Sequence, residues 1–308
     1  MPPQSQSTAG PAVRLKPLII RPERGWQSLR FAELWHYREL LWFLTARDIK
    51  VRYKQTLFGA GWAVLTPLLT MVVFNVLFSV LMDRPPSPLG IPYAISTFCA
   101  LVPWQLFAHS LAQSGNSLVT NRNMITKVYF PRLIMPVAPT LAALVDFLIA
   151  FAVLVGMIAV YHFTSIDQLH GEYRFQFTWQ LCLLPAFVAL TVITSLAVSF
   201  WLSALNAIYR DFRYVIPFVV HMWMYLSPVI YATQDSRFEK SFTDHPWLAT
   251  LYGLNPMAGV LEGFRWVLLG SAPPPPELLV ASVSMVFVLF VGGALYFRRM
   301  ERTFIDVV

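Results

Sequence analysis

Five stretches of this 308-residue chain run for 19 residues or more without one Asp, Glu, Lys or Arg: 60–82, 93–115, 178–208, 214–232 and 278–297. A sixth, 133–161, carries a single charge, Asp146. Crossing the hydrocarbon core of a bilayer as a helix takes about 20 apolar residues. Lipid offers the backbone no water, so runs of this kind must close their hydrogen bonds internally, as helices. Composition agrees: 56% of residues are hydrophobic and 13% charged, where a soluble domain carries about 25% charged. Both cysteines, Cys99 and Cys182, lie within apolar runs, which excludes a disulfide framework or a zinc site. The expected fold is an all-α integral membrane protein with six transmembrane helices.

Lys and Arg set the orientation. Eighteen of the 23 fall in the segment before the first run, in the second and fourth loops, and after the last run. Loops rich in Lys and Arg stay cytoplasmic, so both termini are expected in the cytoplasm. The formal charge of +7 then reflects topology and anionic lipid rather than nucleic acid. Residues 1–59 hold no spanning run, so the first span is expected to be its own targeting element. Residues 1–29, rich in Pro and Ser, read as a flexible cytoplasmic tail, 30–59 as an interfacial helix with a basic segment, and 60–305 as the transmembrane domain. In 31–45, Phe31, Leu34, Trp35, Leu41, Trp42 and Thr45 recur at near-helical spacing opposite Glu33, His36, Tyr37 and Glu39. Trp at the boundary followed by basic residues predicts an amphipathic helix lying in the membrane interface.

Two shorter apolar pieces, 246–260 and 263–272, are broken by Gly, Pro or Asn. Such backbone stands at membrane depth only where protein or a water-filled cavity covers it. They read as a re-entrant pair between spans five and six, or as two helices on the surface. Asn255-Pro256 suits the reversal, and Glu262 and Arg265, three apart, fall on one helical face where they can neutralise each other. In the second loop, NRNMITKVYFPR predicts about two helical turns ended by Pro131. That helix carries Arg122 and Lys127, with Met124, Ile125, Val128, Tyr129 and Phe130 to dock on something. Arg210, Asp211 and Arg213 close the fourth span, either snorkelling to water or meeting a partner.

Several chemistries are missing. No GxxxxGK[ST], GxGxxG or HExxH occurs, and the six histidines share no metal-ligand spacing. No paired acids stand at a span end to hold a divalent ion, as a membrane glycosyltransferase requires. An ion-driven transporter shows several ionisable groups in its spans; here there is Asp146 alone. It either hydrogen-bonds a neighbouring helix or faces a substrate in a conduit. A transporter of this kind draws its energy from another polypeptide.

Five motifs then fall in order: RYKQTLFGAGWAVLTPLL, KVYFPR, YRDFR, SPVIYA and YGLNPMAGVLEGFRWVLLG. Together they resemble the transmembrane (permease) subunit of ABC-2 type polysaccharide exporters, most of all the O-antigen and teichoic-acid exporters. The resemblance covers roughly residues 30–305. It implies a homodimer in the bacterial inner membrane working with two copies of a separate cytoplasmic ATPase, which binds the ATP and Mg. It implies no cofactor in this chain, no enzymatic activity, and a lipid-linked glycan as cargo moving from cytoplasm to periplasm. The family's first and fifth spans line the conduit, which nominates Trp62, Phe74, Asn75, Phe78, Trp223, Tyr225 and Tyr231, with Asp146 beside them. Its coupling elements match Arg122, Lys127, Tyr129, Arg210, Asp211 and Arg213. Its periplasmic gate helices match the segment holding Asn255, Pro256, Glu262 and Arg265. The rival readings are a permease for a capsular or teichoic-type polymer or a small lipid or drug, and a membrane enzyme acting on polyprenyl-linked sugars. The missing acid cluster disfavours the last.

Overall fold

A computed structural model describes residues 35–54, 59, 61–81, 92–163, 179–232, 242, 244–301 and 304, and every regular element among them is helical. In chain order these are α1 (Arg38–Tyr53), α2 (Gly61–Phe74, continued by a π-helical stretch, Asn75–Leu81), α3 (Tyr93–Thr120), α4 (Arg122–Lys127) and α5 (Ile134–Phe163). A 3₁₀ turn, Trp179–Leu183, leads into α6 (Leu184–Ile208), followed by α7 (Phe212–Leu226), α8 (Pro246–Gly253), α9 (Pro256–Leu269) and α10 (Pro276–Met300). The expected tail, 1–29, lies outside the described residues.

Helix α3 is the centre of the bundle, 72% of its most apolar window buried, and it packs against α2, α5, α6, α7 and α9. Small side chains at Ser110, Ser114, Gly115 and Ser117 let its neighbours come close. Without the hydrophobic effect inside lipid, hydrogen bonds and packing must hold the helices together. Ser114 Oγ donates to the Pro136 carbonyl at 2.7 Å. Asn206 on α6 donates to the Gly115 carbonyl at 2.8 Å and to Asn116 Oδ1 at 3.0 Å. Trp201 bridges α6 to α10 by donating to the Leu289 carbonyl at 3.0 Å and stacking on Tyr296. At Gly263 on α9 a Cβ would overlap the Phe187 ring, so only glycine fits that crossing.

The apolar interior falls into two main clusters. One fills the long bundle between α3, α5, α6 and α9. The other gathers Leu44, Leu118, Ile125, Phe130, Ile134, Phe200, Phe297 and Phe304 at the end of the bundle that carries α4.

Among the described residues five helices have the length and hydropathy of a membrane span: Gly61–Phe78, Tyr93–Thr120, Ile134–His162, Trp179–Ile208 and Pro276–Met300. The segment 214–232, expected as a sixth, forms only the 15-residue α7, about 22 Å at 1.5 Å per residue and short of a crossing of about 30 Å. Pro228 is the reason. The residue before a proline is pushed out of helical geometry, and Ser227 is extended at φ −101°, ψ 152°.

Two boundaries also move. Of the helix expected at 31–45, residues 31–34 lie outside the described residues and 35–36 are helical, while the helix Arg38–Tyr53 runs beyond the expected end and packs along α5. The broken pieces 246–260 and 263–272 are Pro246–Gly253 and Pro256–Leu269. The break falls at Asn255-Pro256, and the helix continues through Glu262 and Arg265 because each neutralises the other.

Candidate functional site

The helices α2 and α7 are sparsely covered. Only 17% of the apolar window of α2 is buried, with Trp62, Leu69, Val72 and Val73 exposed. On α7, Ile216 and Val220 face inward while Tyr214, Phe218, His221, Met222 and Tyr225 are exposed. That spacing is one helical stripe. Of the nominated conduit residues, Trp62 and Tyr225 lie on these open faces. Phe74 and Phe78 turn inward, Phe78 onto Tyr93, and Asn75 is half-buried where the helix widens into its π stretch. Tyr214, Phe218 and His221 were not singled out from the sequence; their i, i+4, i+7 spacing was the signal.

Trp223 and Tyr231 belong to a different structure, the reversal between α8 and α9. Asn255 caps α9, its Oδ1 accepting from the Met257 N–H at 3.1 Å and from Trp223 Nε1 at 3.0 Å. Its Nδ2 donates to Ser227 Oγ at 2.9 Å. Pro256 takes the first helical position, where a missing N–H costs nothing. The Tyr231 and Tyr252 hydroxyls meet at 2.8 Å, and Trp223 sits edge-on against Phe107.

Arg265 does more than balance Glu262. Both are buried, at 3% and 0% side-chain exposure, and joined at 3.0 Å. The guanidinium also donates to the carbonyls of Pro228 (2.6 Å), Val229 (2.9 Å), Tyr231 (3.1 Å) and Ser96 (3.4 Å). The carbonyls of 228–231 lie beyond the end of α7 and outside any helical ladder, so five fixed N–H donors in one side chain suit the place. The ion pair was legible in the sequence; the carbonyl clamp was not, because it joins residues more than thirty positions apart.

Asp146 accepts hydrogen bonds from Arg52 and Tyr53, the last residues of α1, and His109 Nδ1 stands 3.8 Å away. Phe78 meets Tyr93, so counting back along antiparallel α2 puts Gly61 level with about residue 110 of α3. Asp146 is therefore level with the start of α2 rather than with its middle. The helices α3 and α5, 28 and 30 residues long, run on past that level, and α1 packs there. Of the two readings open for Asp146, the structure realises the hydrogen bond to a neighbouring helix.

At the α4 end, Arg122, Lys127, Val128 and Tyr129 are exposed, Tyr129 at 86%, while Ile125 and Phe130 anchor the segment in the core. Arg210, Asp211 and Arg213 are exposed at the parallel end of α6. The structure thus brings both expected coupling segments to one end of the bundle. Beside them Arg132 binds Glu301. Burial lowers the affinity of the Arg132 guanidinium for its proton and the Glu301 charge raises it. Among the described residues no three His, Cys, Asp or Glu side chains gather as a metal site.

A helical bundle with several spans and polar clamps at their ends has the form of an integral membrane protein. The model of the ABC-2 type transporter family matches residues 39–269; the chain belongs to that family, whose members are transporter membrane components rather than enzymes. It is 25% identical over 277 residues to an O-antigen export system permease protein RfbA of Myxococcus xanthus, covering 90% of this chain and 98% of that one. A protein of the same name from Klebsiella pneumoniae is 26% identical over 272 residues, covering 88% and 95%.

Proposed function

We propose that this chain is the membrane subunit of an ATP-driven exporter that moves a lipid-linked, O-antigen-like polysaccharide from the cytoplasm to the periplasm. It works as a homodimer in the bacterial inner membrane with two copies of a cytoplasmic ATPase, and the α4 end faces the cytoplasm. The observation that carries this is the open stripe of α7. Tyr214, His221 and Tyr225 present rings with polar tips, with the Phe218 ring between them, whereas the exposed stripe of α10, with Val280, Val283, Ser284, Phe287 and Val288, is hydrocarbon but for one short hydroxyl. Lipid needs no hydroxyl or imidazole. A sugar chain packs its C–H faces on rings and exchanges hydrogen bonds with their tips as it slides. The 15 residues of α7 with the irregular 227–232 segment form the sixth crossing, and the hairpin of α8 and α9 closes the exit as a periplasmic gate. The O-antigen export permeases that resemble the chain over nearly their whole length support the cargo class.

The test is deletion of the gene for this chain in its own host, with glycan followed on both sides of the inner membrane. Lipid-linked glycan accumulating inside and vanishing from the cell surface is the expected result, restored by the intact gene. Unchanged surface glycan would overturn the assignment; loss of a different surface polymer would replace the cargo.

A further inference from the structure

Helix α10 ends at Met300, but the chain stays on the bundle. The Glu301 carboxylate accepts from the Arg132 backbone N–H at 3.5 Å, and the Arg132 guanidinium donates back to the Glu301 carbonyl. Arg132 stands at the entry to α5, its carbonyl accepting from the Met135 N–H at 3.0 Å. The first N–H groups of a helix lack partners within it, and the helix dipole favours an anion there. Glu301 supplies that anion from the far end of the chain. Phe304, 1% exposed, then packs edge-on against Phe297 at 5.4 Å, and Phe297 meets Phe200 at 6.0 Å. Ile125 of α4, Phe130 and Leu44 of α1 belong to the same buried cluster.

This arrangement bears on α4. Six residues make under two turns, and a helix so short has no stability of its own in water. Its only fully buried side chain is Ile125. What fixes its direction is the junction that follows, where Phe130, Pro131 and Arg132 lead into α5. A push on Arg122 and Lys127 moves α5 only if that junction is stiff.

We propose that Glu301 and Phe304 form a strap that stiffens the α4–α5 junction, and that both are positioning residues for the transmission of ATPase movement into the membrane helices. The inference rests on α4 as the place where the ATPase docks. The experiment therefore reads both in the reconstituted complex of permease, ATPase and lipid-linked glycan. Two variants are compared, Glu301→Ala with Phe304→Ala, and Arg122→Glu with Lys127→Glu. The strap variant should still assemble with the ATPase and hydrolyse ATP, but export per ATP should fall at least about fivefold, the low end of an ordinary coupling between sites. Phe304→Leu with Glu301 intact, which keeps most of the volume, should export normally. The docking variant should lose ATPase association or stimulation. An unchanged export-to-hydrolysis ratio in the strap variant, with the docking variant impaired, overturns the strap and leaves the docking surface standing. If neither variant has an effect, both fall. Should the double variant fail to accumulate, Glu301→Lys alone carries the same expectation, because it reverses the charge facing Arg132 and the start of α5.

Discussion

Arg265 shows how much one side chain can organise when its partners are scattered along the chain. A buried ion pair on its own is weak evidence of stability, since a well-packed apolar pair of the same volume often serves as well. Here the guanidinium also satisfies backbone carbonyls beyond α7, and these have no substitute donor once it is gone. Arg265→Leu should therefore destabilise the subunit by about 3–5 kcal/mol, the usual result of removing one partner of a buried ion pair. Adding Glu262→Leu removes the carboxylate as well but leaves the carbonyls that Arg265 held unbonded. The double variant should recover part of the loss and still lie about 1–3 kcal/mol below the parent. Thermal unfolding in detergent checks both; full recovery in the double variant would reduce Arg265 to a simple counter-ion.

At the scale of elements, sequence periodicity located nearly every helix but not what each helix does with its ends. Charge-free runs marked α2, α3, α6 and α10, and a run with the single charge Asp146 marked α5, because lipid leaves a spanning helix little choice of residue. Turn chemistry marked the break at Asn255-Pro256. Three features lay beyond it. Pro228 was visible, yet its power to end α7 six residues before the end of the apolar run depended on Arg265 being there to hold the freed carbonyls. Nor does the composition of α1 reveal that its last turn reaches Asp146, ninety-odd residues away. The strap from Glu301 to Arg132 is equally non-local. The hairpin of α8 and α9 gives the prediction at this scale. Trp247, Leu251 and Leu254 form an exposed apolar stripe on α8 and its C-cap, while Met257 and Val260 are fully buried. In a Cys99→Ala, Cys182→Ser background, single cysteines replacing Leu251 and Leu254 should resist a membrane-impermeant thiol reagent in the resting complex and react during ATP-driven export. Reaction at all times would place the stripe in water and end the gate assignment.

For the whole molecule, in the proposed homodimer, the two open helices, α2 and α7, decide how copies meet. Both lie on α3, and neither is covered on its far side. Among the exposed stripes, three bear on this: the aliphatic one of α2, the aromatic and polar one of α7, and the largely hydrocarbon one of α10. In a homodimer whose conduit runs along the twofold axis, α7 of one subunit faces α7 of the other across the path, and α10 stays in lipid. Cysteines separate these arrangements. In the same cysteine-free background, Phe218→Cys should give cross-linked dimers with a short bifunctional thiol reagent in native membranes. Phe287→Cys, exposed to nearly the same extent at 68% against 63%, should remain monomeric. Equal exposure in the single chain makes the contrast a matter of what covers each face, not of how far each side chain projects. Cross-linking at Phe287 but not at Phe218 would turn the subunit around in the dimer, putting the ring-and-hydroxyl stripe against lipid. The glycan path would then have to be sought on α10, where the exposed stripe offers hydrogen bonds from Ser284 alone.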